Sequence, residues 1–384
     1  MRRWVIIGGG IHGVHLAVRL LGEAGVDPQR LTIIDPASSL LDTWRRCTSN
    51  TGMSHLRSPG VHHLDVEPYA LFQFAGSSRA RFARPKNRPE LQLFTEHCDH
   101  VLSTYGLAER HLRDRATAVD LGCESVRVHL QGGDTLESRN VVLALGASEL
   151  PRWPMWARRL VARSAKVHHV FDPGFVFEPK QWPGRVAVVG GGITAAQVAL
   201  RLADAGRDVH MVSRHAPRVH QFDSPSGWMG PKYLRGYAKV TDLDERRRLI
   251  TGARHAGSMP PEVHKALRRA VARGKVHMHL GDVERAMGES PIGLMLGERT
   301  LFVDSVILST GFEAQRPGGR LVDQLVADHQ LPCATCGYPA VDTHLRWHPR
   351  LFVTGPLAEL EVGPVARNIA GARHAGTRIL AANA

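Results

Sequence analysis

The chain has 384 residues, 43% of them hydrophobic and 22% charged, enough for two domains that each bury a core of their own. No apolar run reaches the eighteen or so residues of a membrane span, and five scattered cysteines are not the framework of a small disulfide-stapled fold. The net charge of +13 comes from 42 arginines and seven lysines; they mix with acids at helical spacings and lack a zinc-finger spacing, an RNA-binding aromatic strand or a basic arm, so nucleic acid is not the expected partner. An arginine-rich surface around anionic small molecules accounts for the charge.

The sequence begins MRRWVII with no leader read ahead of the first strand, and a cytoplasmic protein is expected. Residues 2–36 read as buried strand, glycine-rich turn, amphipathic helix and second apolar strand, the βαβ order of a parallel sheet. In GGGIHG, Gly8 permits the tight turn, Gly10 lets the backbone approach a pyrophosphate, and Gly13 lets helix and strand pack closely. Asp35 ends the second strand, where a carboxylate accepts from ribose hydroxyls. Residues 106–151 alternate short β-rich runs with glycine turns and end in a buried strand; residues 151–184, rich in Pro and Trp, read as a crossing between domains.

Residues 184–215 repeat the first pattern. The fingerprint positions are Gly190, Gly192 and Ala195, with Thr194 beside them, and the second strand ends in Ser213 and Arg214 instead of an acid. Arg214 accommodates a 2′-phosphate, which favours NADPH over NADH. Helices follow at LDERRRLI and PPEVHKALRRAVARG, strands at KVHMHLG and SVILSTGF, and the last segment reads as strand, loop and helix. The fold expected is α/β with two Rossmann-like dinucleotide-binding domains.

With these two units in place the sequence resembles the flavoproteins of glutathione-reductase-like architecture, in which an FAD domain carries an inserted NADPH domain. That implies an FAD-binding part at 1–181, an NADPH-binding domain at 182–308 and a second FAD-binding part at 309–384. VVLALGASELP and VILSTGFEAQRP, with Gly146 and Gly311, resemble the strand-and-turn motifs that carry the chain between such domains. The segments from Trp44 to Ala75, from Asp223 to Leu249 and from Leu351 to Gly376 make the chain most similar to the flavin-dependent N-hydroxylating monooxygenases that act on lysine and ornithine. The resemblance implies that NADPH reduces FAD and that the reduced flavin takes up molecular oxygen as a hydroperoxide and delivers one atom to an amine or other small nucleophile. It places Trp44, Met53, Ser54 and Leu56 near the flavin ring and Gly355 among the cofactor-binding positions, with Gly363 and Pro364 opening a last helix whose positive end favours the reduced ring. The cofactor carries the hard step, so no conventional catalytic residue is named. This sequence departs from the family where Gly13 replaces its usual Asn and where Ile193 and Thr194 replace Gln-Ser.

Cys333 and Cys336 form a C-x-x-C frame open to a redox pair, half of a zinc site with His344 and His348, or ordinary loop packing. Packing is favoured: the pair lies far after the second glycine turn, whereas thioredoxin reductases place theirs just before it. No metal ligands are expected, and His168 or His169 at the crossing is the better candidate for the nicotinamide ribose. Disulfide or quinone reduction and a non-catalytic flavin-bound sensor are the competing functions.

Overall fold

The computed structural model describes residues 2–163 and 165–382. Two parallel sheets organise it, each seeded by one glycine-turn unit. The first runs in the order Arg346–His348, Leu351–Val353, Thr135–Leu143, Arg2–Ile7, Leu31–Ile34, His111–Leu112. It is parallel except at the Arg346–His348 edge. An antiparallel meander, Ala116–Leu121 with Val126–Leu130, feeds Thr135–Leu143. Val5 pairs with Val141, which pairs with Leu351, and all three are fully buried. Helices cover both faces of such a strand, so its sequence reads as a continuous apolar run without alternation.

The second sheet is parallel throughout, in the order Val276–Leu280, Asp208–Ser213, Arg185–Val189, Ser305–Leu308, Val167–His169. Its outer strand, Val167–His169, comes from the crossing segment, which sequence had read only as a connection. One face buries Val186, Val188, Val209, Met211 and Val276 under the helix Ile193–Asp204. The other face buries Ala187, Val212, Val306 and Leu308 under a three-stranded antiparallel layer, Arg285–Met287, Ile292–Leu296 and Arg299–Val303.

The chain returns to the first sheet at Leu351–Val353, and its last helix, Ile369–Ala381, packs on the first helix, Ile11–Gly22. Arg19 of the first helix donates to Thr377 Oγ1 at 2.7 Å and to the Arg373 carbonyl at 3.2 Å. The last helix begins five residues later than expected. Gly363 (φ +90°) and Pro364 stand in a turn, and Asn368 caps the helix by accepting from the Gly371 N–H at 3.1 Å. An asparagine at N-cap satisfies an otherwise orphaned donor, which fixes the start there.

The units are joined by buried and half-buried polar contacts. Asn50, 2% exposed, donates to the carbonyls of Val170 and Phe175, both at 2.8 Å, and accepts from the Phe177 N–H at 3.0 Å. Arg88 pairs with Glu262 at 2.6 Å, and Tyr237 donates to the Leu360 carbonyl at 2.8 Å. Removing the Asn50 amide orphans two carbonyls and one N–H inside the junction. Asn50→Ala is expected to lower stability by about 2 to 4 kcal/mol, read as a shift of the urea midpoint; an unchanged midpoint would show that the junction does not depend on it.

Candidate functional site: two dinucleotide cradles and a shared cleft

The first glycine turn is held by backbone contact. Gly8 lies at φ +114°, and a Cβ there would meet the Ala144 carbonyl oxygen at 2.5 Å. A Cβ at Gly13 would stand 1.9 Å from the Gly8 carbonyl oxygen, whereas one at Gly10 would meet nothing within 4 Å. The turn is thus closed beneath and open above, where a ligand approaches. No side chain caps the helix at Gly10, so the N–H groups of its first turn remain available to an anion. Asp35 accepts from the Gly9 N–H at 2.6 Å and the Ala37 N–H at 2.9 Å; its oxygens keep lone pairs for a ribose hydroxyl.

His12, inside the fingerprint, was not singled out by sequence. Its Nδ1 lies 2.9 Å from Thr354 Oγ1, and a Cβ at Gly355 would touch its ring at 3.6 Å. Burial lowers its pKa to about 4, against a hydrogen bond to the Asn368 backbone. A neutral imidazole therefore ties the first turn to the closing segment.

The second turn repeats the geometry. Gly190 lies at φ +155° with the Ser309 carbonyl oxygen 2.4 Å from a would-be Cβ, and fully buried Ala195 fills the third place. Gly192 stands at the helix N-cap without a side-chain cap. Ser213 folds back, donating to the His215 carbonyl at 2.8 Å, so it shapes the strand end. Exposed Arg214 beside it projects at the mouth.

A cavity of about 980 Å³ opens above this turn, within the range of cofactor clefts. It brings together Gly190, Gly192, Thr194, Ser213, Arg214, Gly311 and Pro364. Arg57, Arg254 and Arg367 also line it, three cations that sequence had not flagged. Gly8, Gly10, Gly13, Asp35, Gly146 and Gly355 stand instead at the carboxyl edge of the first sheet. Trp44, half-buried, packs on Phe94 with ring centroids 5.1 Å apart, and Met53 packs on the same core. Leu56 is buried, while Ser54 is exposed and gives its carbonyl to the Leu91 N–H. Neither His168 nor His169 lines the cavity. His168 stacks on Phe175 at 5.2 Å, and His169, fully buried, accepts from the Phe171 N–H through Nδ1.

Behind the cleft, fully buried Glu359 binds Arg247, Arg254 at 2.8 Å and Arg367 at 2.7 Å. Burial pushes its carboxyl up, but Arg367, Arg254 and Arg247 outweigh this and hold it at about 2. Among the described residues Arg57 bonds neutral groups, the carbonyls of His220 and Gln221 and the Ser258 hydroxyl. Asp223 and Asp282 are the acids of the cleft lining, against Arg57, Arg152, Arg214, Arg218, Arg254 and Arg367, so with Glu359 behind them the balance stays positive, which favours phosphates or another anion. The signal in sequence was faint: Glu359 is a charge in the apolar run LAELEVGPVARN.

Cys333 and Cys336 are exposed on a turn, where Arg247 donates to Cys336 Sγ at 3.4 Å. His344 bonds the Arg378 carbonyl, and the four residues of the zinc reading form no ligand group among the described residues.

Two glycine cradles, one on each parallel sheet, with a positive cleft over the second that Arg57, Pro364 and Arg367 also line, define a flavin- and pyridine-nucleotide-dependent oxidoreductase. Residues 2–376 match the model of the pyridine nucleotide-disulphide oxidoreductase family, and the chain belongs to it. No curated protein matches in sequence. Among solved structures, the ornithine N-hydroxylase of Kutzneria sp. 744, determined with reduced FAD, NADP+ and L-ornithine, superposes with a TM-score of 0.77 at 19% identity, covering 100% of this chain and 99% of that one. A flavin-containing monooxygenase from Stenotrophomonas maltophilia gives 0.65 at 21%, covering all of both chains. The bacillithiol disulfide reductase of Bacillus cereus gives 0.63 at 17%, covering 98% and 97%. The likenesses establish a shared fold and agree with the resemblance read from sequence. No helix among the described residues is long and apolar enough to cross a membrane.

Two outcomes test the site. Gly13→Ala is expected to cost about 1 to 3 kcal/mol by forcing helix from strand, whereas Gly10→Ala keeps stability within about 1 kcal/mol and weakens FAD at least tenfold, read by thermal unfolding and flavin titration. Glu359→Gln is expected to destabilise by about 3 to 5 kcal/mol at pH 7 by leaving buried arginines uncompensated. Because the folded pKa is depressed, wild type holds this advantage above the ordinary glutamate range and loses it as pH falls through about 2; urea curves at several pH values check the convergence.

Proposed function

We propose that the protein is an FAD-containing, NADPH-dependent monooxygenase that transfers one oxygen atom from O2 to an amine or another small nucleophile. The observation that carries this reading is the composition of the cleft: it joins the second glycine turn to Arg57, Pro364 and Arg367 of the first unit, and no cysteine is among its lining residues. A dithiol reductase needs a thiol of lowered pKa in an accessible, electropositive setting. Cys98 is buried, Cys47 is half-buried, and burial raises both thiols.

The domains of this reading run 1–181, 182–308 and 309–384, with Val167–His169 lent by the first to the sheet of the second. Gly8, Gly10 and Gly13 take the FAD pyrophosphate and Asp35 the ribose. Gly146 and Gly355 close the cradle, and Trp44, Met53 and Gly363 shape its far wall. Gly190, Gly192, Thr194 and Ala195 form the NADPH turn, with Ser213 and Gly311 as its walls and Arg214 on the 2′-phosphate. When bound, FAD supplies the oxygen chemistry and NADPH the electrons. The chain binds and orients both, and the apolar walls around Pro364 and Phe312 exclude water.

Arg214→Ala is expected to raise the NADPH KM about 10- to 100-fold with little change for NADH; equal changes would remove the assignment. The reaction itself is tested by incubating the FAD-loaded enzyme with NADPH, O2 and a panel of primary amines and thioethers. Mass spectrometry should find one product carrying a single added oxygen, at an undiminished rate in Cys333→Ser/Cys336→Ser. NADPH-dependent disulfide reduction lost in that double variant, with no oxygenated product, would establish the reductase instead.

A further inference from the structure

Strand Asp208–Ser213 carries Asp208 and His210 in alternate places, and its parallel neighbour Val276–Leu280 carries His277 and His279. Register sets His210 opposite His277. Alternate residues on a strand share a face, so all four side chains lie on one side of the sheet. The intervening Val209, Met211, Val276 and Met278 pack in the core on the other side. The second sheet's edge thus presents a D-x-H beside an H-x-H, far along the strands from the glycine turn that follows Val189.

We infer that Asp208, His210 and His277 form a binding site for a divalent transition cation of the zinc class, with His279 and Arg185 as its supporting shell. One ligand atom from each of the three lies within 4.8 Å of the others. Asp208 Oδ1 stands 3.1 Å from His210 Nε2 and 3.6 Å from His277 Nε2. Ligands at about 2.0 to 2.1 Å around a tetrahedral ion are separated by about 3.4 Å, so small side-chain shifts admit the ion. His210 is 8% exposed, and its Nε2 makes no well-directed hydrogen bond although it faces the carboxylate.

The supporting contacts agree with ligation. His210 Nδ1 lies 2.9 Å from His279 Nε2. Donation from Nδ1 to His279 leaves the His210 Nε2 lone pair directed at Asp208 and His277, the tautomer that a second shell selects. Arg185 Nε donates to Asp208 Oδ2 at 3.0 Å and leaves Oδ1 to the ion. Two imidazoles and a carboxylate suit Zn2+, Ni2+ or Cu2+ better than Mg2+ or Ca2+, which take mostly oxygen. A cavity of about 510 Å³ lined by Arg185, Arg207 and Asp208 adjoins the site and leaves room for water on the remaining coordination positions.

The test uses the full chain, FAD-loaded, in a Cys123→Ser/Cys333→Ser/Cys336→Ser background so that the exposed thiols do not compete. Isothermal titration with ZnCl2 should show one saturable equivalent, and Co2+ should give a visible ligand-field band. His277 is exposed, so His277→Ala keeps the fold, checked by the flavin spectrum and the unfolding temperature, and should weaken Zn2+ at least 100-fold. Asp208→Asn should weaken it at least tenfold, and His279→Ala about 10- to 100-fold. One equivalent that survives both His277→Ala and Asp208→Asn, or no saturable binding, overturns the assignment.

Discussion

Each half of this protein depends on a place where no side chain fits. The Gly8 carbonyl and the Gly13 Cα are so close that a single methyl would sit 1.9 Å from oxygen. Gly190 is kept bare by the Ser309 carbonyl oxygen, 2.4 Å from a would-be Cβ, as Gly8 is by that of Ala144 at 2.5 Å, while Ala195 carries its methyl in the third place. These approaches set each helix start at the carboxyl end of its strand, with uncapped N–H groups facing outward. A helix positioned in this way is an anion site before any ligand arrives.

Two such cradles become one enzyme only if they face each other. That task falls to polar groups buried between the units, chiefly Asn50 at the crossing and Glu359 among its arginines. Glu359 neutralises part of the positive charge that the cleft concentrates, while Arg57, Arg254 and Arg367 keep it attractive to phosphates. His12 performs a related service inside the first unit, joining the phosphate turn to Thr354 across a separation of 342 residues.

The glycine turns, their strands and helices and the alternating β region 106–151 were legible in sequence because each is written in local terms: apolar runs, fixed glycine spacings and a change of period. The strand Val167–His169 was not. Three residues within a Pro- and Trp-rich stretch carry no periodicity, and only pairing with Ser305–Leu308 makes them a strand. The start of the last helix was misplaced because glycine and proline look like an entry signal, while Asn368 supplied the cap. Glu359 and its arginines were hidden by distance, since their partners lie in segments far apart in the chain. The Asp208, His210, His277 group was missed for the same reason: each strand shows one alternate pair, and only register brings the two together.

The central claim is that the two cradles hold FAD and NADPH so that electrons pass from one to the other across the cleft. Its most direct test is anaerobic mixing of the FAD-loaded protein with NADPH while the visible flavin absorbance is followed. The account predicts full bleaching in a single turnover, at a rate that saturates with NADPH. A protein that binds no FAD, or whose bound flavin stays oxidised under saturating NADPH, would contradict it.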